Sequence, residues 1–341
     1  MHPHAYINSI HSISPYASDA PARAGLLSAL EPAYAPVLNP AELRRTPRLV
    51  KMGLYAATRC LADAGLDHID AITVGSGLGS FDGFEKFETS LLAQAEDTVP
   101  PTPFIQSLDN AVAGQLALKL QCHGYNMTYT HRGFSFETAL LDGLLLLTEP
   151  DGPADVLVGG LDETTPTYAA LLHQAGHVKN PDKLGKVEHS RTPGVLPGEG
   201  ATFLVLSSAR RPGTLATVRA VRTLFSPRTA LEVEQTVAAL LREQHLTPAD
   251  LDLVLLGHSG DHAHDQKLRA VEASLPDTPR EYFKNYCGEY HTATAFAVWL
   301  AVRRFAGAAA ELSERTPYPK NCLIINQYRD ANYSFIFLTQ D

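Results

Sequence analysis

Positive charge is scarce in this sequence: 28 Lys and Arg stand against 37 Asp and Glu over 341 residues, a formal net charge of −9. Such a chain has no bulk electrostatic footprint for the backbone of a nucleic acid, so no nucleic-acid partner is expected. Cysteine is scarce as well. Cys60, Cys122, Cys287 and Cys322 lie far apart with no CxxC spacing, which argues against a zinc knuckle and against a disulfide framework. Long hydrophobic runs are missing. Leu140–Leu147 and Phe203–Leu206 with their neighbours are far shorter than the about 20 residues a bilayer span needs, so no membrane partner is expected. The start, MHPHAYINSIHSISPY, lacks a basic segment followed by an apolar one and does not read as a secretory signal. Together these absences imply a reducing, cytoplasmic setting.

What is present is material for a core. Hydrophobic residues make up 45% and charged residues 19%, a globular balance. The length allows one large domain or two of ordinary size, since single cores stop growing near roughly 250–300 residues.

Strand-like and helix-like segments alternate. Strands are expected at Ala5–Ile13, Ala71–Val74, Asn126–Thr130, Asp155–Gly159 and Gly200–Ser207. Helices are expected at Arg48–Gly65, where Gly65 makes a natural stop, at Asn110–Leu120 and at Phe136–Leu147. A polar link, Ser208–Thr214, precedes a shorter second series. That series has strands at Leu215–Val221, Leu253–Leu256, Cys322–Asn326 and Ser334–Thr339, and helices at Ala230–Gln244 and Thr292–Phe305. Alternation with continuous apolar strands implies parallel pairing in an α/β layered structure. The order divides the chain into related halves, 1–209 and 215–341, although no direct sequence repeat is visible. The loop Gly75-Ser76-Gly77-Leu78-Gly79-Ser80 loosely has a GxGxG pattern but lacks the third glycine of a dinucleotide fingerprint and opens no evident helix. It reads as a close-packed turn, and no cofactor is expected.

Five segments, taken in order, carry a resemblance: Phe104–Gly114 with the strand and helix around Phe134; Pro197-Gly198-Glu199-Gly200-Ala201 before a strand; Gly257-His258-Ser259-Gly260 after one; Lys284-Asn285-Tyr286-Cys287-Gly288 before the small-residue run Thr292–Ala295; and Asn326-Gln327-Tyr328 with Asn332 before the last strand. They resemble the β-ketoacyl synthases of the thiolase superfamily. The resemblance implies a thiolase-like fold, two related βαβ halves forming α-β-α-β-α layers. It also implies acyl carrier protein as partner.

A condensing enzyme needs a thiolate at a strand-to-helix elbow, two neutral imidazoles and backbone N–H donors for the thioester oxygen. By the resemblance, Phe134 stands at the nucleophile position, where no thioester can form. Ser135, one position on, reads as a helix N-cap and otherwise as a hydroxyl needing a base. His258 matches the first catalytic histidine, whereas Glu289 replaces the second. Lys284 matches the family lysine and is placed to pair with Glu289; His291 would reach in only after a loop rearrangement. Arg329-Asp330-Ala331 replaces a glycine-rich gate. Joint loss of nucleophile, histidine and gate resembles the chain length factors, which pair with an active ketosynthase and shape its acyl tunnel in fatty acid- or polyketide-type chain building; the resemblance extends to those of polyene-type pathways (aryl polyenes, flexirubin-like pigments). A homodimer is the other assembly.

Two alternatives stay open. One is a divergent acyltransferase or condensing enzyme, or a hydrolase, using Ser135 or Cys287 with His258; against it, Cys287 also reads as a small buried hydrophobe. The other is a metal site on the loop bearing His258, Asp261, His262, His264 and Asp265, although the spacing matches no fixed ligand motif and no metal is expected. The basic run Arg44, Arg45, Arg48 and Lys51 suits an acidic carrier protein or a phosphate, or is simply a solvated helix face.

Overall fold

Among the described residues ten runs form strands; most are rich in Val, Ile, Leu or Phe and walled on both faces, whereas the two edge strands are short and more polar. They are β1 (Ala5–Ile13), β2 (Ala71–Gly75), β3 (Tyr125–Tyr129), β4 (Asp155–Asp162), β5 (Gly200–Ser207), β6 (Ala216–Phe225), β7 (Leu253–Gly257), β8 (Arg280–Tyr282), β9 (Asn321–Tyr328) and β10 (Asn332–Thr339). Among the described residues eleven α-helices accompany them: α1 (Pro40–Arg45), α2 (Arg48–Asp63), α3 (Phe81–Ala93), α4 (Pro101–Gln106), α5 (Ala111–Leu120), α6 (Ser135–Leu146), α7 (Pro166–Gln174), α8 (Ala230–Glu243), α9 (Gln266–Ala273), α10 (Lys284–Cys287) and α11 (Ala293–Phe305). The structure is a computed structural model, and it describes residues 4–16, 26–93, 101–180, 185–307 and 318–340.

The strands form one sheet in the order β3-β2-β4-β5-β1-β6-β10-β9-β7-β8. Its two ends repeat each other. In the first series β2 pairs parallel with β3 and β4, while β5 pairs antiparallel with β4 and β1. In the second, β7 pairs parallel with β8 and β9, while β10 pairs antiparallel with β9 and β6. The series meet where β1 runs antiparallel to β6, Ala5 opposite Val218. The expectation of parallel pairing therefore holds only for the outer strands. The apolar runs of β5 and β10 come from burial on both faces, which antiparallel strands share when they lie deep in a layered fold.

That burial comes from α6 and α11, which pack together between strands of the two series; α11 is buried almost throughout and α6 over most of its length. Close approach is possible because β4 carries Gly160, where a Cβ would sit 2.7 Å from both Ala295 and Phe136. Apolar cores fill three spaces. The central one surrounds α6 and α11, a second lies under α2 and α5, and a third under α8 and α9. The result is five layers, α-β-α-β-α, of the thiolase-like kind. α2 ends at Asp63 with Ala64 as cap, and Gly65 follows at φ +66°, the left-handed turn expected of it. Contrary to expectation, a helix does open after the glycine loop, because Phe81–Ala93 forms α3.

Candidate functional site

The parallel strands β2, β4, β7 and β9 all end at one place, and the loops that follow them build the site. This is the usual location of ligands in open α/β sheets. Asp162, the last residue of β4, ties the loops of both series together. It accepts from the Gly77 amide (2.7 Å) and, with its other oxygen, from the amide and hydroxyl of Thr292 (both 2.8 Å). The glycine loop needs no side chains here: a Cβ on Gly77 would lie 2.1 Å from the His291 ring. The loop is the close-packed turn expected.

A cavity of about 110 Å³ lies at the meeting point, with Asp162, Tyr168, Glu289, His291, Tyr328 and Arg329 in its wall. Its floor is buried, and exposed Arg329 and His177 stand at its rim. His291 reaches the cavity with no loop rearrangement, correcting the sequence expectation. Its Nε2 lies 3.0 Å from the Tyr328 hydroxyl, and burial keeps its pKa below the ordinary 6.5 against the opposing pull of Asp162, so the ring is neutral at pH 7.

Glu289 is held by Lys284, whose Nζ donates to Oε2 at 2.9 Å and to the Gln327 carbonyl at 2.7 Å. Side-chain exposure is 1% for Lys284 and 7% for Glu289, so this ion pair is internal. Glu289 Oε1 is buried and has no hydrogen-bond partner. Burial pushes this carboxyl up to about 7, with Lys284 opposing. The Arg329 gate is a tight turn. Arg329 (φ +52°) and Asp330 (φ +55°) are both left-handed, the geometry of a type I′ turn. Lys267 (2.6 Å) and Tyr333 (2.6 Å) pin the Asp330 carboxylate, so the turn is fastened rather than hinged.

At the elbow, Arg132–Phe134 forms one 3₁₀ turn and Phe134 then occupies the N-cap of α6 without a capping hydrogen bond. Its half-buried ring faces Phe225, with centroids 6.5 Å apart. Ser135 is not the cap. It is the first residue of α6, fully buried behind β2, and its Oγ has no partner.

His258 is displaced from its expected role. It does not line the cavity. It turns toward α9, with Nε2 3.1 Å from Glu272 Oε2, Nδ1 3.8 Å from Asp265 Oδ2, and the Tyr282 ring edge-on at 5.3 Å. These are charge contacts, not aligned hydrogen bonds. No hydrogen bond joins Ser135 or Cys287 to His258: the Cys287 thiol is buried and points to the Gly288 carbonyl at 3.4 Å. The nucleophile–base pair of the acyltransferase alternative is thus not assembled. On this loop the residues that line the cavity are Asp261 and His264, which the sequence offered only as members of a metal-site alternative. Among the described residues no three His, Cys, Asp or Glu side chains converge as metal ligands.

The His258 contacts set a pH dependence. Burial by itself lowers the imidazole pKa, but Asp265 and Glu272 outweigh it and raise it above the ordinary 6.5. Burial disfavours the Glu272 carboxylate, yet His258, Tyr282 and Arg280 bring it from 4.5 down to about 2. A raised histidine stabilises fully below 6.5 and loses this as pH rises through its folded value. A depressed glutamate stabilises above 4.5 and loses this as pH falls toward about 2. The network is therefore strongest between about 4.5 and 6.5. We expect the urea midpoint of the unaltered chain to fall as pH climbs above 6.5. A His258→Gln chain should show a shallower decline, keeping only what the raised carboxyls Glu289 and Glu163 contribute; an equal decline in both would remove His258 as a source.

The basic run is divided. Arg48 makes a bidentate pair with buried Glu199 (2.6 and 2.7 Å) and a further contact to Glu31 (2.6 Å). Glu199, from the Pro197–Ala201 motif, also accepts the amides of Ala29 and Thr164. Arg48 is thus an internal clamp. Arg44 and Lys51, with the outer face of Arg48, line a wider cleft of about 870 Å³, which shares Glu163, Thr164 and Pro197 with the smaller cavity. Sequence reasoning also missed Asp162 and Glu163, whose signal was an acidic pair closing the apolar run of residues 156–161.

Duplicated five-layer architecture with a site at the strand ends defines a thiolase-like protein. Residues 19–211 match the family model described as "Beta-ketoacyl synthase, N-terminal domain". The chain belongs to the β-ketoacyl synthase family. No curated protein matches it by sequence. Solved structures resemble it over their whole length. "The ishigamide ketosynthase/chain length factor" has a TM-score of 0.79 at 14% identity, covering 100% of both chains. The ketosynthase ApeO in complex with its chain length factor ApeC, from Xenorhabdus doucetiae, has a TM-score of 0.79 at 15% identity, covering 99% of this chain and 98% of that one. A type II polyketide synthase acyl carrier protein in complex with its ketosynthase (AntDE:AntF) has a TM-score of 0.77 at 15% identity, covering 99% of both. At such identities the likeness establishes the fold. No described helix is long and apolar enough to cross a membrane.

Proposed function

We propose that this chain is a ketosynthase-like subunit without a nucleophilic cysteine, a chain length factor that pairs with an active β-ketoacyl synthase and shapes the tunnel for a growing acyl chain. The observation that carries the reading is the elbow. Phe134 heads α6 where a thiol would have to sit, and among the described residues no cysteine lines the adjoining cavity. Glu289, held by Lys284, adds to it: a carboxylate cannot stabilise the oxyanion of a condensing reaction. The solved relatives include a ketosynthase with a chain length factor and a ketosynthase with an acyl carrier protein, and these are the partners proposed here. The cytoplasm, and fatty acid- or polyketide-type (polyene) chain building, belong to the same reading. So does the division into halves at 1–209 and 215–341, which the repeated strand order supports.

Edge strand β3 supports pairing. It is outermost in the sheet, and Tyr125 and Met127 on it, with Leu118, Leu141 and Leu145 nearby, are exposed. An open edge flanked by apolar side chains is a surface that proteins normally cover.

The test is co-expression with the cysteine-bearing ketosynthase encoded nearest to it, followed by native mass spectrometry and labelling with acyl-loaded carrier protein. We expect a heterodimer whose stable label is on the ketosynthase alone. A homodimer that ignores the ketosynthase, or stable acyl label on this chain, would defeat the proposal.

A further inference from the structure

The cavity beside the elbow holds an acid–base apparatus that a passive subunit has no use for. Glu289 is more than nine-tenths buried and lines the cavity. One of its oxygens is fixed by Lys284, and the other is buried without a partner. An unsatisfied buried carboxylate oxygen is costly, and a bound water is its ordinary remedy. The space suffices: about 110 Å³ is several times the roughly 10–15 Å³ one water requires. It also admits the carbonyl end of a small acyl group beside that water. The neutral His291, hydrogen-bonded to the Tyr328 hydroxyl, forms the neighbouring wall, and the Arg329 guanidinium stands at the rim, 5.5 Å from the Tyr328 ring centre.

We propose that this cavity hydrolyses acyl thioesters, with Glu289 as the general base for a water molecule. Glu289 Oε1 takes a proton from water as the water oxygen bonds to the thioester carbonyl carbon. The resulting oxyanion lies in the field of Arg329 and the Tyr328–His291 pair. As the carbon–sulfur bond breaks, the departing thiolate receives the proton from Glu289. A carboxylic acid and a free thiol result, with no acyl-enzyme and no other reactant. Short acyl groups fit the cavity. Longer ones would need the wider cleft across Thr164 and Pro197. The inference goes beyond pairing with a ketosynthase: it gives this chain a chemistry of its own, such as removal of stalled acyl groups, and needs no partner.

The experiment uses the full chain alone with acetyl- and butyryl-N-acetylcysteamine, following free thiol with a colorimetric disulfide. We expect release above buffer, faster than with the octanoyl ester, and one ¹⁸O in the acid formed in labelled water. Glu289→Gln keeps an acceptor for Lys284 but removes the base, and should cost on the order of 100-fold or more. Leu172→Trp fills the cavity mouth without touching the Lys284 pair, and should cost at least about tenfold if the Gln variant fails to fold. No release above buffer, a Gln variant as fast as the unaltered chain, or an acyl adduct on the protein would each overturn the assignment. Pairing is read separately by native mass, so loss of one proposal leaves the other standing.

Discussion

A Phe134→Cys chain takes up one equivalent of iodoacetamide within minutes near neutral pH, while the unaltered chain takes up essentially none. All four native cysteines are buried. Burial raises the thiol pKa of Cys60, Cys287 and Cys322; Cys60, for example, is pushed up to about 12. A thiol at position 134 would instead sit on the N-terminus of α6, whose unpaired N–H groups and dipole favour the thiolate. Helix N-termini bring cysteine pKa values to about 3.5–7.5, so the alkylation rate should rise on the order of 10³-fold or more. The carboxyl of Glu137, in the first turn, is fully buried, and burial raises its pKa, which weakens its opposition to a neighbouring thiolate. Intact mass and peptide mapping read the result. Labelling no faster than in the unaltered chain would mean that position 134 does not occupy an activating elbow.

The second large effect concerns Lys284. Replacing it by Met leaves the Glu289 carboxylate and the Gln327 carbonyl without their shared donor. Removing one partner of a buried pair costs roughly 3–5 kcal/mol. The cost must depend on pH. Glu289 already sits at about 7, well above the ordinary 4.5, because burial disfavours its charge, and loss of Lys284 pushes it further up. A carboxyl raised in the folded state loses stability as pH rises past its unfolded value, so the Met variant should be far weaker at pH 8 than at pH 5. Adding Glu289→Leu should restore most of the loss, since an apolar pair of similar volume needs no compensation. Chemical denaturation of the three chains at both pH values measures this. A Met variant equally stable at pH 5 and pH 8 would show that the pair is not the internal bridge its distances indicate.

Much of the architecture was legible in sequence. Continuous apolar runs such as Leu253–Leu256 and Phe203–Leu206 could only be strands buried on both faces, and both are. The helices missed were α1, α3, α4, α7, α9 and the single turn α10, and the reasons differ. α1 and α7 open on Pro40 and Pro166, residues that read as breakers yet suit a first helical turn. α3 follows a glycine loop with a mixed, half-exposed face and no clean period. Pairing direction was misread because burial on both faces, not parallel pairing, makes a strand uniformly apolar.

The site was legible only as a set of positions. Lys284 and Glu289 lie five apart with a turn between them, and the short spacing made their pairing readable. His258 followed the right strand in the right order, yet one residue of backbone decides which side of a strand end a ring takes. Here Gly257 packs against Asn326 and Phe283, and His258 turns outward to Glu272. His291 could be placed only once Gly77, more than two hundred residues away, was seen to leave room for its ring.

Sequence alone therefore determined which residues are apolar and in what order, and with that the layers and the vacancy of a thiol at the start of α6. Those follow from local pattern and residue chemistry. Tertiary structure decided that His291 and His264, not His258, face the cavity, and that Asp162 binds the two series together. Such choices rest on contacts between distant segments, where a glycine's missing side chain or one buried carboxylate settles the direction of a ring.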